Sequence, residues 1–431
     1  MRAFLDRIQA INPLVNALVT ITPEEAMKAA AAADEALARG VKPGLLHGLP
    51  VAHKDLQPTA GVRTTFGSPI FADHVPSQDS PLVARLRAAG AILAGKSNTP
   101  EFGAGSQTFN PVFGATLNPY DRTKTCGGSS GGAAVALACG MIPIADGTDM
   151  GGSLRNPAAF CGVVGMRPSP PPQEPAWQTL SVEGPMARGV GDVALLYAAI
   201  EGSSMSAEDV SEALKPDVQG ARIAWLTALG PPGDVPFDSR VVDVMESARP
   251  LFASIGCVVD DATLDLSGAD RVFRTLRAKA FVEKHAATVR GHRELVKQAV
   301  LEEIERGERQ SAEDVTAAER RRHDIKREVA AFMKRYDFLV LPTTQVPPFD
   351  VTSPYVTEIS GVTMTTYIDW MKSCYYFSAI GHPAISVPCG MTANGLPVGL
   401  QIVGRDSDDW GTLRIAAAFE QARGAFPPPS L

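Results

Sequence analysis

Gly147-Thr148-Asp149-Met150-Gly151-Gly152-Ser153-Leu154-Arg155-Asn156-Pro157-Ala158 lies just past the apolar run Ile142 to Ala145. A short apolar run that ends in a glycine-rich turn reads as a buried strand leaving its sheet. The two glycines allow the chain to turn and to present Ser153 against a row of free backbone N–H groups. Donors arranged in that way suit a developing oxyanion.

Outward from this turn, β-like runs alternate with helical stretches. Leu49 to His53 reads as a strand, Pro81 to Ala89 as a helix, Ala91 to Ala94 as an apolar run and Gly132 to Ala138 as a helix. Thr22-Pro23-Glu24-Glu25 places a cap and a proline at the start of a helix spanning Ile21 to Arg39. Such alternation predicts an α/β sheet with helical layers. From about Asp270 to Arg335 the sequence becomes charged and Ala-rich, as expected of long amphipathic helices. Its basic cluster Arg320 to His323 has Glu319, Asp324 and Glu328 beside it and reads as a solvated face rather than a nucleic-acid surface. Strands return at Phe338 to Leu341, Ala384 to Val387 and Val398 to Val403, before a terminal helix from about Trp410. The expectation is one domain over 1–431, with a helical excursion near 270–335. Pro168 to Pro175 reads as a loop.

Composition narrows the class. The chain has 431 residues, 45% hydrophobic and 20% charged, with a formal net charge of −7. That excludes a disordered chain and offers no basic excess to neutralise nucleic-acid phosphates. No run of apolar residues is long enough for a membrane span, and no signal peptide is read at the N-terminus. Cys126, Cys139, Cys161, Cys257, Cys374 and Cys389 form no CxxC pair and do not cluster with histidines at metal-ligand spacing. A reduced, cytoplasmic enzyme without metal or other cofactor is expected.

Two further motifs compete with the first. Gly90-Ala91-Ile92-Leu93-Ala94-Gly95-Lys96-Ser97 satisfies the P-loop pattern letter for letter. Its intervening residues are apolar and strand-like, and Asn98-Thr99-Pro100 reads as a turn where a P-loop needs a helix, so a strand is expected instead. Gly128-Ser129-Ser130-Gly131-Gly132 contains G-x-S-x-G centred on Ser130, the nucleophile elbow of α/β-hydrolase esterases. The polar stretch Asn118 to Cys126 precedes it where an apolar strand should stand. A distal His382 could serve as its base, but His382-Pro383 reads as an ordinary turn before a strand.

Taken together, three motifs resemble the amidase signature family of serine hydrolases, and in particular its bacterial free-standing amidases. They are Gly48-Leu49-Pro50-Val51-Ala52-His53-Lys54-Asp55, Gly127 to Gly132, and Gly147 to Ala158, in the family's order. Gly95 to Phe102, Gly184 to Arg188 and Gly395 to Gln401 extend the resemblance nearly to the C-terminus. It implies a central mixed, twisted β-sheet covered by α-helices on both faces. It also implies Ser153 as nucleophile, Ser129 as proton relay across a cis Gly128–Ser129 peptide, Lys54 as base, and an oxyanion hole from the N–H groups of Met150, Gly151, Gly152 and Ser153. Asp149 and Arg155 would brace the loop, while Thr148 and Ser130 would hydrogen-bond within the site. Relatives usually have a longer helical segment ahead of the stretch Ile11 to Ala17, so the first helix reads as shortened or lost.

A lysine base makes one physical demand. Free lysine titrates at ~10.4 and a base working near neutrality needs ~7–8, so the site must disfavour the ammonium by about 4 kcal/mol. Burial among hydroxyls, away from unshielded carboxylates, supplies that. Asp55 and Asp146 are therefore expected to be structural. A non-catalytic binding role would leave this whole constellation idle.

The resemblance covers amides, anilides, ureas, carbamates and esters as substrates. Asn156 is expected to line the acyl pocket, where an arginine would clamp a carboxylate and an asparagine does not. Gly103 is expected to leave room in the pocket. Tyr367 to Tyr376, with Trp370, Met371, Tyr375 and Tyr376, is a candidate aromatic wall or else ordinary core. These features favour a free-standing amidase or urethanase, monomer or homodimer, acting on a small amide or carbamate. The alternative is the glutaminase component of a tRNA-dependent amidotransferase complex.

Overall fold

The computed structural model describes residues 1–431 except Gln173, Glu174 and Pro232. Its strands are β1 (Leu18–Ile21), β2 (Pro50–Lys54), β3 (Ile92–Ser97), β4 (Ile144–Asp149), β5 (Val164–Arg167), β6 (Val182–Ala187), β7 (Arg222–Leu229), β8 (Val258–Leu264), β9 (Phe338–Pro342), β10 (Ala384–Met391) and β11 (Pro397–Val403). All belong to one 11-stranded sheet in the order β1-β3-β2-β4-β6-β5-β10-β11-β9-β7-β8. Pairing is parallel from β3 through β2 to β4 and from β9 through β7 to β8, and antiparallel elsewhere.

Strand side chains alternate between faces, so one strand can feed two cores. Leu339 and Leu341 of β9 enter one, with Leu137, Phe160, Phe273, Ile325 and Tyr375 from the helices Gly131–Ala138, Arg155–Cys161, Ala269–Val289, Ala312–Phe332 and Lys372–Ile380. Phe338 and Val340 enter the other, with Leu86, Leu196, Phe252 and Phe419 from the helices Pro81–Ala88, Val190–Ile200, Ser239–Ser254 and Asp409–Arg423. A mixed sheet with helices on both faces is the architecture that the resemblance implies. Among the described residues no helix is long and apolar enough to cross a membrane.

Most expected elements sit within a few residues of their sequence positions. The charged excursion consists of the helices Ala269–Val289, Gln298–Glu308 and Ala312–Phe332. The P-loop pattern lies on β3, where Lys96 is buried and its ammonium donates to Thr59 Oγ1 (2.8 Å), Thr64 Oγ1 (3.2 Å) and the Gln57 carbonyl. Pro168 to Pro172 is loop, and Gln173 and Glu174 lie outside the described residues. Two features escape the sequence reading. A helix spans Arg2–Val15 with Pro13 inside it, and its buried Ile8, Ile11 and Val15 form one stripe. Strands β7 and β8 extend the sheet around the Ser239–Ser254 helix; the register of β8 is irregular near Thr263, and its outer positions are exposed.

The helix Gly131–Ala138 packs directly on backbone. A Cβ on Gly132 would stand 2.3 Å from Asn98 N and 2.6 Å from the Ala17 carbonyl oxygen, neither of which can rotate away. Gly132→Ala should therefore cost about 1–3 kcal/mol, read as a lower denaturation midpoint at unchanged m-value. Gly191→Ala is the contrast, because the exposed helical Gly191 has nothing within 4 Å of such a Cβ. That change should stabilise by about 0.5–1 kcal/mol.

Candidate active site

Strands β2 and β4 are parallel neighbours, Val51 opposite Ile144 and Ala52 opposite Ala145, so their C-terminal ends meet. Lys54 is the last residue of β2, and the chain leaves β4 through Met150 to Ser153. The Gly131–Ala138 helix begins beside them, which brings Ser129 and Ser130 to the same point.

Lys54 is fully buried. Its Nζ lies 2.7 Å from Ser129 Oγ, 2.9 Å from Ser130 Oγ and 2.9 Å from Thr148 Oγ1. Every partner is a neutral hydroxyl. The nearby Asp146 spends one carboxylate oxygen on the Lys54 backbone N–H (3.0 Å) and the other on His53 Nδ1. Desolvation outweighs the attraction of Asp149 and Asp146 and pushes the Lys54 ammonium down to about 7. Asp55 turns away to the backbone and hydroxyl of Thr65, and burial raises its carboxyl.

The Gly128–Ser129 peptide is cis. Asn156 Oδ1 accepts the Gly128 N–H at 2.9 Å, and a Cβ on Gly127 would come within 2.5 Å of that oxygen. Ser130 N–H donates to the Ser153 carbonyl at 3.1 Å, tying the Gly127–Gly132 loop to the turn that carries Ser153. Among the described residues no hydrogen bond joins the hydroxyls of Ser129 and Ser153, but both side chains face one cavity. Apo sites often close such contacts only with substrate bound.

Asp149 shapes the turn. Its carboxylate accepts Gly152 N–H (2.8 Å) and Leu154 N–H (3.1 Å) and pairs with Arg155 at 3.0 and 2.9 Å. Burial alone would raise this carboxyl, but the Arg155 guanidinium, helped by Arg167, holds it well below the usual range. Gly152 is thus a correction to the expected oxyanion donors. Its N–H already serves Asp149, which leaves Met150, Gly151 and Ser153 as the donors not committed to that carboxylate.

The cavity measures 290 Å³ and is lined by Ser129, Thr148, Met150, Gly151 and Ser153 on its reactive side. Gly103 lies on its wall with φ of 71°, and a Cβ there would sit 2.9 Å from Leu56 Cδ1 and 3.6 Å from Ser129 Oγ. Asn156 does not line it. The residue is fully buried, with Nδ2 3.1 Å from Met371 Sδ, so it supports the Gly128 loop rather than contacting a ligand. The expected aromatic wall divides. Tyr367 and Met371 reach the cavity, whereas Trp370 stacks on Phe160 and Tyr375 on Phe273 within the core, and Tyr376 bonds Asp234.

The larger part of the apolar wall lies outside the stretches that the sequence singles out. Phe273, Arg277, Phe281 and His285 of the Ala269–Val289 helix line the cavity, joined by Phe66 and Phe102. The four helical residues recur at i, i+4 steps, a stripe that in sequence looks like any core-facing stripe. The Ser130 alternative finds no support in the geometry. Ser130 is fully buried against Lys54 and Thr148, while His382 is bonded to the Gly404 carbonyl and lines a different cavity. Among the described residues no group of three or more His, Cys, Asp or Glu could hold a metal ion.

Comparison with known proteins agrees with this geometry. The amidase family model matches residues 1–413. An acylamidase of Rhodococcus erythropolis is 35% identical over 98% of this chain and 91% of its own length. A glutamyl-tRNA(Gln) amidotransferase subunit of Moorella thermoacetica is also 35% identical, over 97% of this chain and 92% of its own. The crystal structure of a bacterial aryl acylamidase of the amidase signature family superposes with a TM-score of 0.87 at 28% identity, covering 98% and 92% of the two chains. With a matching fold, a cis Gly128–Ser129 peptide and a buried lysine held by serines, this chain belongs to the amidase signature family and is an amidase acting on carbon–nitrogen bonds.

Proposed function

We propose that the protein is a free-standing amidase that cleaves an amide, anilide or carbamate through an acyl-enzyme, within a single catalytic domain. The observation that carries this reading is the Lys54 environment: three hydroxyls in contact, no carboxylate in contact among the described residues, and a pKa near 7. A neutral Lys54 has two N–H donors and one lone pair. The donors suit Ser130 and Thr148, and the lone pair suits the Ser129 hydroxyl proton.

Ser153 Oγ attacks the carbonyl carbon and its proton passes to Ser129 Oγ, whose own proton passes to Lys54 Nζ. The carbonyl oxygen, now anionic, takes N–H bonds from Met150, Gly151 and Ser153. Collapse breaks the carbon–nitrogen bond, and the proton returns through Ser129 to the departing amine. Water then attacks the acyl-Ser153 ester by the same relay in reverse. Esters and urethanes are expected side substrates, because their leaving groups need the same proton.

The aromatic lining, with Arg155 engaged by Asp149 and Arg277 by Glu303, favours an uncharged aryl or alkyl acyl group. The identity to the amidotransferase relatives supports a second reading, a glutaminase working within a complex. A panel of p-nitroanilide, anilide, carbamate, ester and glutamine substrates on the isolated chain separates the two. Turnover of anilides supports the first, and glutamine hydrolysis seen only with partner proteins supports the second.

Lys54→Ala, Ser129→Ala and Ser153→Ala should each lower kcat by about a thousandfold or more with far-UV circular dichroism unchanged. Full activity in Ser153→Ala would refute the nucleophile assignment.

Proton linkage supplies a separate check. Activity needs neutral Lys54, so kcat/KM should climb with unit slope below about pH 7 and level off above it. The folded protein releases the Lys54 proton near 7, whereas the unfolded chain holds it to 10.5. Between those values the unfolded state binds more protons, so stability rises with pH. Below pH 7 the buried ammonium costs about 5 kcal/mol. Lys54→Met should therefore be more stable than wild type at pH 7, by a margin that shrinks about 1.4 kcal/mol per pH unit towards pH 10.

A further inference from the structure

Behind the catalytic cavity lies a second one, of 380 Å³, and the two share Gly105, Arg277, Tyr367 and Ile368 as a common wall. The side chains that form most of that wall are Arg277 and Tyr367. Arg277 donates through Nη2 to the Tyr367 hydroxyl and through Nη1 to Glu303, and its guanidinium lies 4.6 Å from the Phe281 ring centroid. Tyr367 is only half-buried. Its neighbours are pinned instead, because Asp369 accepts the N–H groups of Thr365 and Thr366.

Two acceptors on the second cavity have no donor among the described residues. Gln107 Nε2 donates to the carbonyls of Ser353 (2.6 Å) and Pro354 (2.9 Å), which sets the orientation of the amide and leaves Oε1 buried and unpaired. Glu303 gives Oε2 to Arg277, and its Oε1 is likewise buried and unpaired. Both residues line this cavity and are more than nine-tenths buried. A buried acceptor without a donor costs about 1–3 kcal/mol and is uncommon in native proteins. Two on one cavity point to a donor that arrives with a ligand. The same lining carries Arg274, Arg277, Lys297 and Arg306 against Glu302 and Glu303, which disfavours a cationic donor.

We propose that this cavity is a distal subsite of the same active site. It takes the far end of an elongated substrate bearing a second, neutral N–H group such as an amide, and the Arg277–Tyr367 pair is the divide that side-chain movement opens. The inference rests on Ser153 being the nucleophile. The chemistry is unchanged; only the reach of the acyl group differs.

The test compares p-nitroanilides of acetic acid, octanoic acid, 5-acetamidopentanoic acid and 5-aminopentanoic acid. The octanoyl and acetamidopentanoyl chains match in length, so their ratio reads the distal amide rather than the reach of the chain. Wild type should favour the acetamido chain over octanoyl by about tenfold in kcat/KM, and the ammonium-ended chain should be the poorer of the long substrates. Ala299→Trp, which fills the distal cavity from the half-buried Ala299, should bring the acetamido-to-octanoyl ratio towards one. Tyr367→Ala, which removes the divide, should raise both long chains relative to acetyl by about fivefold or more. Labelling of Ser153 by a fluorophosphonate is run alongside. Intact labelling with a ratio near one in wild type, or a ratio untouched by Ala299→Trp, would overturn the subsite and leave the two acceptors to ordered water. Failure to label Ser153 would overturn the nucleophile assignment and the subsite with it.

Discussion

An ammonium group with no carboxylate in contact is an expensive thing to bury, and the site is organised around that cost. Lys54 keeps its aliphatic stem in the core and its Nζ among three hydroxyls. Hydroxyls satisfy the nitrogen's hydrogen bonds without neutralising its charge, so burial acts on the ammonium almost unopposed. A carboxylate in direct contact would restore the proton. The acids of the region are accordingly occupied elsewhere: Asp146 with His53 and a backbone N–H, Asp55 with Thr65, and Asp149 with Arg155 and Arg167.

The sheet makes this arrangement possible. Two parallel strands end side by side, so a lysine from one and a turn from the other meet without a long loop. Asp149 then holds the turn by accepting two of its N–H groups while binding Arg155, which reaches the Cys374 carbonyl, Gln401 and Ser378. The turn that carries Ser153 is thereby tied to the Lys372–Ile380 helix and to β11, both far along the chain. An anion buried against two guanidiniums is a matter of position more than of net stability, since desolvation cancels much of the attraction.

The candidate site is legible without coordinates because its residues are concentrated in three glycine-rich motifs. The fold brings Lys54, Ser129, Ser130, Thr148 and Ser153 from those motifs to one place. Asn156 departs from its expected place for a physical reason: adjacency to the nucleophile in sequence is not adjacency to the ligand, and the helix starting at Arg155 turns Asn156 under the Gly128 loop. Gly152 departs because a turn's N–H groups can be spent on its own aspartate. The wall formed by Phe273, Arg277, Phe281 and His285 carries no local signal, since a helical stripe facing a cavity and one facing a core have the same period.

The sequence by itself determined the alternation of strands and helices, the turn chemistry and the identity of the side chains gathered at the candidate site. Those depend on residue type and near-neighbour spacing, which the chain carries locally. Tertiary structure alone decided how strongly the lysine is desolvated, which backbone donors remain available, and which aromatic residues surround the substrate. Each of those depends on groups far apart in the chain meeting in space, and burial, unlike periodicity, is a property of the whole packed fold.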